Sequence, residues 1–270
     1  MNKIATAMRV YRSQGFKGVI LVYPQKIRRW LFENDHWWAG KLIELKGNTA
    51  MLDGCIFDLH SPLISTSVKS QFLLNRYEKN ERKLLKLYFN PELPVIELGA
   101  AVGVMSCLTN KRLVNPHHHI VVEANADLLP LLEINRLLNG CSFRVIHRAI
   151  AYGRKQVLFK QKANFLASSV QAINGNPLSV STITLKEILD EQQFELCTLI
   201  CDIEGGERDL INYEIETLKE RVKTIILEVH EWSLGKDAVN QTLLKLQRNG
   251  FKHLVELGIN HVFENEHLLI

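Results

Sequence analysis

From Val95 to the end of the chain, short apolar runs alternate with longer stretches whose apolar positions recur every three to four residues. The first kind predicts strands at Val95–Leu98, Ile120–Val122, Phe143–Ile150, Thr198–Cys201 and Thr224–Val229, with a closing pair at Phe251–Leu257 and His261–Glu264. The second kind predicts helices from about Val104, from Asp127 to Leu138, after Glu207 and from Lys236 to Asn249. Strands alternating with such helices build an α/β fold, a parallel sheet with helices on both faces. Strands this apolar belong in its interior.

Before Val95 the pattern is mixed. Basic residues (Arg9, Arg12, Lys17, Lys26, Arg28, Arg29) alternate with apolar ones, and Trp30, Trp37 and Trp38 follow closely. The short alternating runs Lys41–Leu45 and Met51–Phe57, bounded by Gly47-Asn48 and Asp53-Gly54, predict small hairpins. Arg76–Phe89 predicts an amphipathic helix, and Pro91 and Pro94 punctuate its end. These contrasts divide the chain into an N-terminal extension or cap, residues 1–75, and a main domain, 76–270. Tryptophans in such an extension pack it onto the main domain more readily than they stack on a sugar.

With 270 residues, 46% of them hydrophobic, the chain can bury a full core. A net charge of +4 with no long Lys/Arg block signals no nucleic-acid groove. Five cysteines without a C-x-x-C pair, and a Met1–Gln14 stretch without an apolar secretory core, predict a reducing, cytoplasmic setting. Cys107, Cys197 and Cys201 lie in apolar runs and read as core residues. No apolar run reaches the roughly 18 residues of a bilayer span, so the expectation is a soluble chain whose basic, aromatic N-terminal region makes at most weak peripheral membrane contact.

The segment Val95-Ile96-Glu97-Leu98-Gly99-Ala100-Ala101-Val102-Gly103 puts glycines on a strand-to-helix turn, where open α/β sheets bind nucleotides. Its spacing is G-x-x-x-G rather than the G-x-G-x-x-G of dinucleotide sites, and Glu97 stands just before the first glycine. A carboxylate at the mouth of the loop repels a pyrophosphate and suits a cation. S-adenosyl-L-methionine carries an ammonium and a sulfonium but no phosphate, so it is the predicted cofactor, held at Glu97, Gly99, Ala100 and Gly103. The strand His119–Val122 then ends in Glu123, where an acidic residue accepts hydrogen bonds from ribose hydroxyls.

These residues and those after them resemble the FkbM family of methyltransferases. Val95–Gly103 is similar to its cofactor loop, and Val122-Glu123-Ala124-Asn125 to its E-P-N segment, with Ala124 in place of the proline. Leu132–Asn139 is similar to its following helix, and Arg148-Ala149-Ile150 to its segment near the adenine. Cys201–Glu207 resembles its D-x-E-G-x-E motif, and Ile226–His230 its E-x-H strand end. The likeness spans roughly Tyr77 to the C-terminus; Glu97 stands where many members carry Asp, and Ala101 where many carry Asn. It implies a Rossmann-like, mostly parallel seven-stranded sheet and transfer of the methyl group of S-adenosylmethionine to a hydroxyl of a small molecule or glycan, whether sugar, glycoconjugate or secondary metabolite. Ala124, Ala149 and Asp202 then line the cofactor, and Asn164, Ser168 and Ser169 fall where the family lines its site.

Asp202 and Glu204, one residue apart at a strand end, leave the same face, and so do Glu228 and His230. In a Rossmann-like strand order the two ends are neighbours beside the glycine loop. Methyl transfer to a hydroxyl needs the acceptor aligned and its proton removed. His230 has the intrinsic pKa for that proton, Asp202 is the rival base, Glu204 orients, and Glu228 faces the acceptor. Glu207 reads as an acid favoured in the first turn of a helix. Asp202, Glu204 and Glu228 form an oxygen-rich set of the kind that holds Mg²⁺, while His117-His118-His119 lacks ligand spacing; no metal is assigned. Ala101 and Ala124 keep open a cofactor-binding but inactive partner subunit, and a nitrogen acceptor is a further alternative. A dinucleotide-dependent oxidoreductase is disfavoured by Glu97.

Overall fold

The computed structural model describes residues 36–159 and 178–268. Trp30, Asn164, Ser168 and Ser169 lie outside the described residues. The described chain begins with α1 (Trp37–Leu45), followed by a hairpin of β1 (Thr49–Leu52) and β2 (Cys55–Asp58). Leu52 pairs with Cys55 across Asp53-Gly54, both at positive φ, which suits a tight hairpin turn. The run Lys41–Leu45, expected as a strand, is helical. Five residues of alternation fit either period, and packing decides: Ala39, Gly40 and Ile43 face α2 (Thr66–Leu73), where a Cβ on Gly40 would lie 2.0 Å from the Thr66 carbonyl oxygen. The Ser65 side chain caps α2 by accepting the Val68 N–H. Next comes α3 (Lys79–Tyr88), which starts later than the sequence pattern suggests because Glu78 adopts left-handed backbone.

The chain then alternates as its pattern predicts. β3 (Val95–Leu98), α4 (Val104–Asn110), β4 (His119–Glu123), α5 (Leu129–Leu138) and β5 (Arg144–His147) follow in turn. The expected strand Phe143–Ile150 breaks at Arg148. Its end becomes β6 (Ala149–Ile150), which joins β7 (Gln156–Phe159) and β8 (Leu178–Ile183) in a separate three-stranded sheet. After β8 come α6 (Leu185–Gln192), which opens on a Thr184/Glu187 capping box, β9 (Cys197–Cys201), α7 (Glu207–Arg221) and β10 (Val222–Glu228). The one-turn α8 (Glu231–Leu234), α9 (Lys236–Arg248), β11 (Phe251–Leu257) and β12 (Asn260–Asn265) complete the described chain.

The main sheet runs β11-β12-β10-β9-β3-β4-β5. The neighbours from β10 to β5 pair parallel, and β12 lies antiparallel between β10 and β11. This is the mostly parallel seven-stranded, Rossmann-like sheet that the sequence and the resemblance imply. Every residue of β3, β4 and β9 is buried, as a sheet covered on both faces requires. One apolar cluster runs from Ile43, Phe57, Val68 and Phe72 to Val95, Met105 and Leu132, so residues 36–75 share the core of the sheet.

Two asparagines on α5 tie the hairpin to that core. Asn135, with no exposed surface, accepts the Asp58 N–H and donates to the carbonyls of Asp58 and Val102. Asn139, one turn on, accepts the Ile56 N–H and donates to the Ile56 carbonyl. The edge of β2 therefore finds its ladder partners on a helix. Asn135→Leu strands three backbone groups and is expected to cost about 2–4 kcal/mol in urea unfolding; a loss under about 0.5 kcal/mol would refute this role.

Candidate active site

At the carboxyl ends of β3, β4, β9 and β10 lies a cavity of about 660 Å³. One part is walled by Gly99, Ala100, Ala101, Ala124, Leu128, Ala149 and Ile150, the other by Glu78, Glu81, Asp202, Glu204, Glu228 and His230. The strand order creates this meeting, since β9 lies between β3 and β10 and brings Asp202 beside the glycine loop.

The loop's shape follows from backbone crowding. Gly99 has φ +86°, and a Cβ there would lie 1.7 Å from the Asp202 carbonyl oxygen, so the position demands glycine. Gly103, at φ +83°, begins α4 below the cavity, and a Cβ on it would come within 2.5 Å of Leu132. Between them Ala101 holds φ +48°, a left-handed conformation that asparagine tolerates better than alanine. That accounts physically for the asparagine many family members carry there.

The two acids at the ends of β3 and β4 fare differently. Glu97 does not reach the cavity. Its side chain is fully buried under the loop, where Oε1 accepts the Ser106 hydroxyl at 2.6 Å and Oε2 lies 3.1 Å from His119 Nε2. The residue points toward α4, and His119 is its diagonal neighbour on β4. Glu123 does line the cavity, but its oxygens already accept the N–H groups of Ala100, Ala101 and Asn125 at 3.1, 2.8 and 2.6 Å. Burial raises its carboxyl above the usual range, while these N–H groups oppose the shift. Glu123 thus holds the loop in shape, with each oxygen retaining further acceptor capacity.

His230 is the hub of the acid-rich wall and only 3% exposed. Its Nδ1 lies 3.2 Å from Glu207 Oε1. Its Nε2 faces Glu228 Oε1 at 3.3 Å, Glu204 Oε2 at 3.4 Å and Asp202 Oδ1 at 3.6 Å. Glu207, beyond its place in a first helical turn, accepts the N–H groups of Ile203 and Gly205 through the same oxygen that meets His230. Burial alone would lower the histidine's pKa, but hydrogen bonding to Glu207 and Glu228 and the charge of Asp202 raise it to about 11. That balance favours the charged imidazole at neutral pH and, of the two bases the sequence offers, favours Asp202 over His230. Burial and the Glu228 charge instead push the Asp202 carboxyl well above its ordinary range.

The start of α3 adds residues that sequence reasoning missed. Tyr77, Glu78 and Glu81 close the cavity opposite the strand ends, and burial raises Glu78 to about 8 and Glu81 well above the carboxylate range. In an amphipathic pattern such acids pass for a solvated face. Ala101, Glu78 and Glu204 are all non-glycine residues at positive φ and all line this cavity, so backbone strain gathers where ligands would bind. Trp37 is exposed on α1, while Asn260 of β12 and Trp232 of α8 complete the wall near Glu228 and His230.

Residues 97–253 match the family described as methyltransferase FkbM domain. No curated protein sequence matches the chain. Similar solved structures include the precorrin-6y C5,15-methyltransferase of Geobacter metallireducens GS-15, at 14% identity over 69% of this chain and 85% of that one, TM-score 0.42. TYW2 of M. jannaschii in complex with AdoMet shares 16% identity over 80% of this chain and 85% of that one, TM-score 0.41. The fibrillarin of Aeropyrum pernix shares 9% over 68% and 72%, TM-score 0.39.

Two measurements check the site. Gly99→Ala should weaken donor binding at least about 100-fold in calorimetry, because the loop must leave the Asp202 carbonyl; unchanged affinity would contradict the crowding. In EDTA-treated protein the His230 ring should remain protonated past pH 9 by NMR, losing its proton near 11. Its stabilising contribution is then fully present below about pH 6.5 and lost as the pH rises through about 11, so a ring that titrates near 6.5 would contradict the four-carboxylate surround.

Proposed function

This chain belongs to the FkbM methyltransferase domain family, whose methyl donor is S-adenosylmethionine, and we propose that it methylates a hydroxyl oxygen of a sugar, glycoconjugate or secondary metabolite. The observation that carries this reading is a single cavity whose glycine-loop part meets a carboxylate and imidazole part at Asp202. Carboxyl groups in the lining (Glu78, Glu81, Glu123, Asp202, Glu204, Glu228) outnumber its basic side chains (Arg76, Lys79, Arg148, His230), a balance that favours a cationic donor over a phosphate-bearing acceptor such as a nucleic acid.

The donor, when bound, supplies an activated methyl group on a sulfonium. The residues of the first part suit its nucleoside: Gly99 and Ala100 leave room along the backbone, Glu123 offers oxygens toward a ribose diol, and Ala124 and Ala149 present small apolar faces to an adenine. Asp202, between the two parts, serves both donor and acceptor. Glu228 positions the acceptor hydroxyl, and Asn164 and Ser168 keep the substrate-binding role that the family resemblance implies. The hydroxyl loses its proton to the Asp202–Glu204 carboxylate pair as its oxygen takes the methyl group and the sulfur keeps the electrons of the broken bond. His230 keeps the carboxylates in place and offsets charge on the oxygen.

The acid-rich acceptor wall also suits an amine, so a nitrogen acceptor is the second reading. Among the described residues no helix is long and apolar enough to cross a membrane; a cytoplasmic setting, with at most weak membrane contact of the N-terminal region, completes the proposal. Incubation with labelled donor and panels of hydroxyl and amine acceptors tests it. Label on oxygen is expected, label only on nitrogen selects the second reading, and no label on either class points to an inactive partner subunit. With an accepted hydroxyl substrate, Asp202→Asn should lower kcat about 10²–10⁴-fold; a kcat within about threefold of the parent would remove Asp202 from the proton path.

A further inference from the structure

We propose that Asp202, Glu228 and His230 form a binding site for one divalent transition-metal cation, Mn²⁺ or Zn²⁺, at the acceptor end of the cavity. These residues come from β9, β10 and the turn into α8, and a ligand atom from each lies within 4.8 Å of the others. The spacing around His230 is longer than that of charge-assisted hydrogen bonds and matches the separation of two ligands on one ion. Nε2 stands 3.3 Å from Glu228 Oε1 and 3.6 Å from Asp202 Oδ1, with Glu204 Oε2 at 3.4 Å. Charge-assisted N–H···O bonds run about 2.7–2.9 Å, whereas two ligands held about 2.1 Å from a tetrahedral metal are separated by about 3.4 Å.

Two observations beyond the cluster point the same way. Asn260 is only 3% exposed and lines this part of the cavity. Its Nδ2 donates to Glu228 Oε2, yet its Oδ1 has no hydrogen-bond partner, and Asp202 Oδ1 likewise accepts no hydrogen bond. Buried acceptors left without donors in the wall beside Glu228 and His230 call for a cation or a donor in that part of the cavity. The second is the support behind the ring. Glu207 Oε1, pinned by the N–H groups of Ile203 and Gly205, lies 3.2 Å from Nδ1. A carboxylate on the far nitrogen of a metal-binding histidine fixes its tautomer and aims the lone pair of the other nitrogen at the metal. One imidazole with carboxylates suits Mn²⁺ or Zn²⁺ better than Ca²⁺, which takes oxygen ligands alone.

The catalytic part of this inference rests on the hydroxyl-methylation reading; the binding part does not. A cation held by these residues would supply Lewis acidity that lowers the pKa of an acceptor hydroxyl beside it. The O–H proton goes to Glu204, the oxygen gains the methyl group, and the S–CH₃ pair stays on sulfur.

The test uses the full chain stripped with EDTA and dialysed. Titration with Mn²⁺, followed by the loss of the free-ion EPR signal, should show about one ion bound per chain, displaced by Zn²⁺. Glu228→Gln and His230→Gln should each weaken it about tenfold or more. No retained Mn²⁺ or Zn²⁺ in the parent chain overturns the site, as does affinity that both folded variants leave unchanged. Methyl transfer that runs at full rate in EDTA overturns the cation's part in catalysis while leaving the proposed function standing. One bound ion without transfer to any hydroxyl supports the site and removes the hydroxyl reading.

Discussion

The ends of β3 and β9 approach so closely that the Gly99 backbone passes against the Asp202 carbonyl with no room for a Cβ. The parallel pairing of the two strands imposes that contact, since Leu98 sits opposite Cys201 and the Asp202 N–H donates to the Leu98 carbonyl. From it follow the left-handed turn of the loop, the entry into α4 and the position of Asp202 at the seam of the cavity. The loop is further held from β4, where Glu123 spends its carboxylate on the N–H groups of Ala100 and Ala101. Its geometry is thus preorganised by two neighbouring strands, which is how a rigid sheet lends accuracy to a loop.

The opposite wall is electrostatically costly. Carboxyl groups crowded into a partly buried space resist ionisation, as the raised positions of Glu78, Glu81 and Asp202 record. The imidazole of His230 relieves some of that repulsion, and Glu207 anchors the imidazole by way of two backbone N–H groups. Glu78, Ala101 and Glu204 add left-handed strain at the same cavity. Crowded charge and strain persist in a folded chain only where the surrounding structure over-determines them. Here the covered sheet and the tether from α5 supply that constraint, and a bound cation would offset the remaining negative charge.

Much of the architecture was legible in the order of residues. Runs such as Val95–Leu98 and Thr198–Cys201 are short, mostly apolar and set between helical stretches, which marks interior strands, and the glycine turn between a strand and a helix marks the binding edge whatever the ligand. The joining of Asp202, Glu204, Glu228 and His230 was legible too, because residues two apart at a strand end share a face. Less legible were Lys41–Leu45, where five residues fit either period, and Phe143–Ile150, which divides between two sheets at Arg148. Tyr77, Glu78 and Glu81 escaped notice because acids at a helix start read as solvated until a partner surface buries them.

Alone, then, the sequence determined the alternation of strands and helices, the glycine loop and the residue types of the acidic wall, since these depend on local periodicity and on side-chain chemistry. Tertiary structure decided which acids face the cavity. Glu97 and Glu123 look alike as acids near strand ends, yet one is spent beneath the loop on Ser106 and His119 and the other braces the loop from the cavity side. It also decided the surroundings of His230, because a histidine's charge depends on the carboxylates that chain-distant strands bring to it, and no local pattern carries that distance.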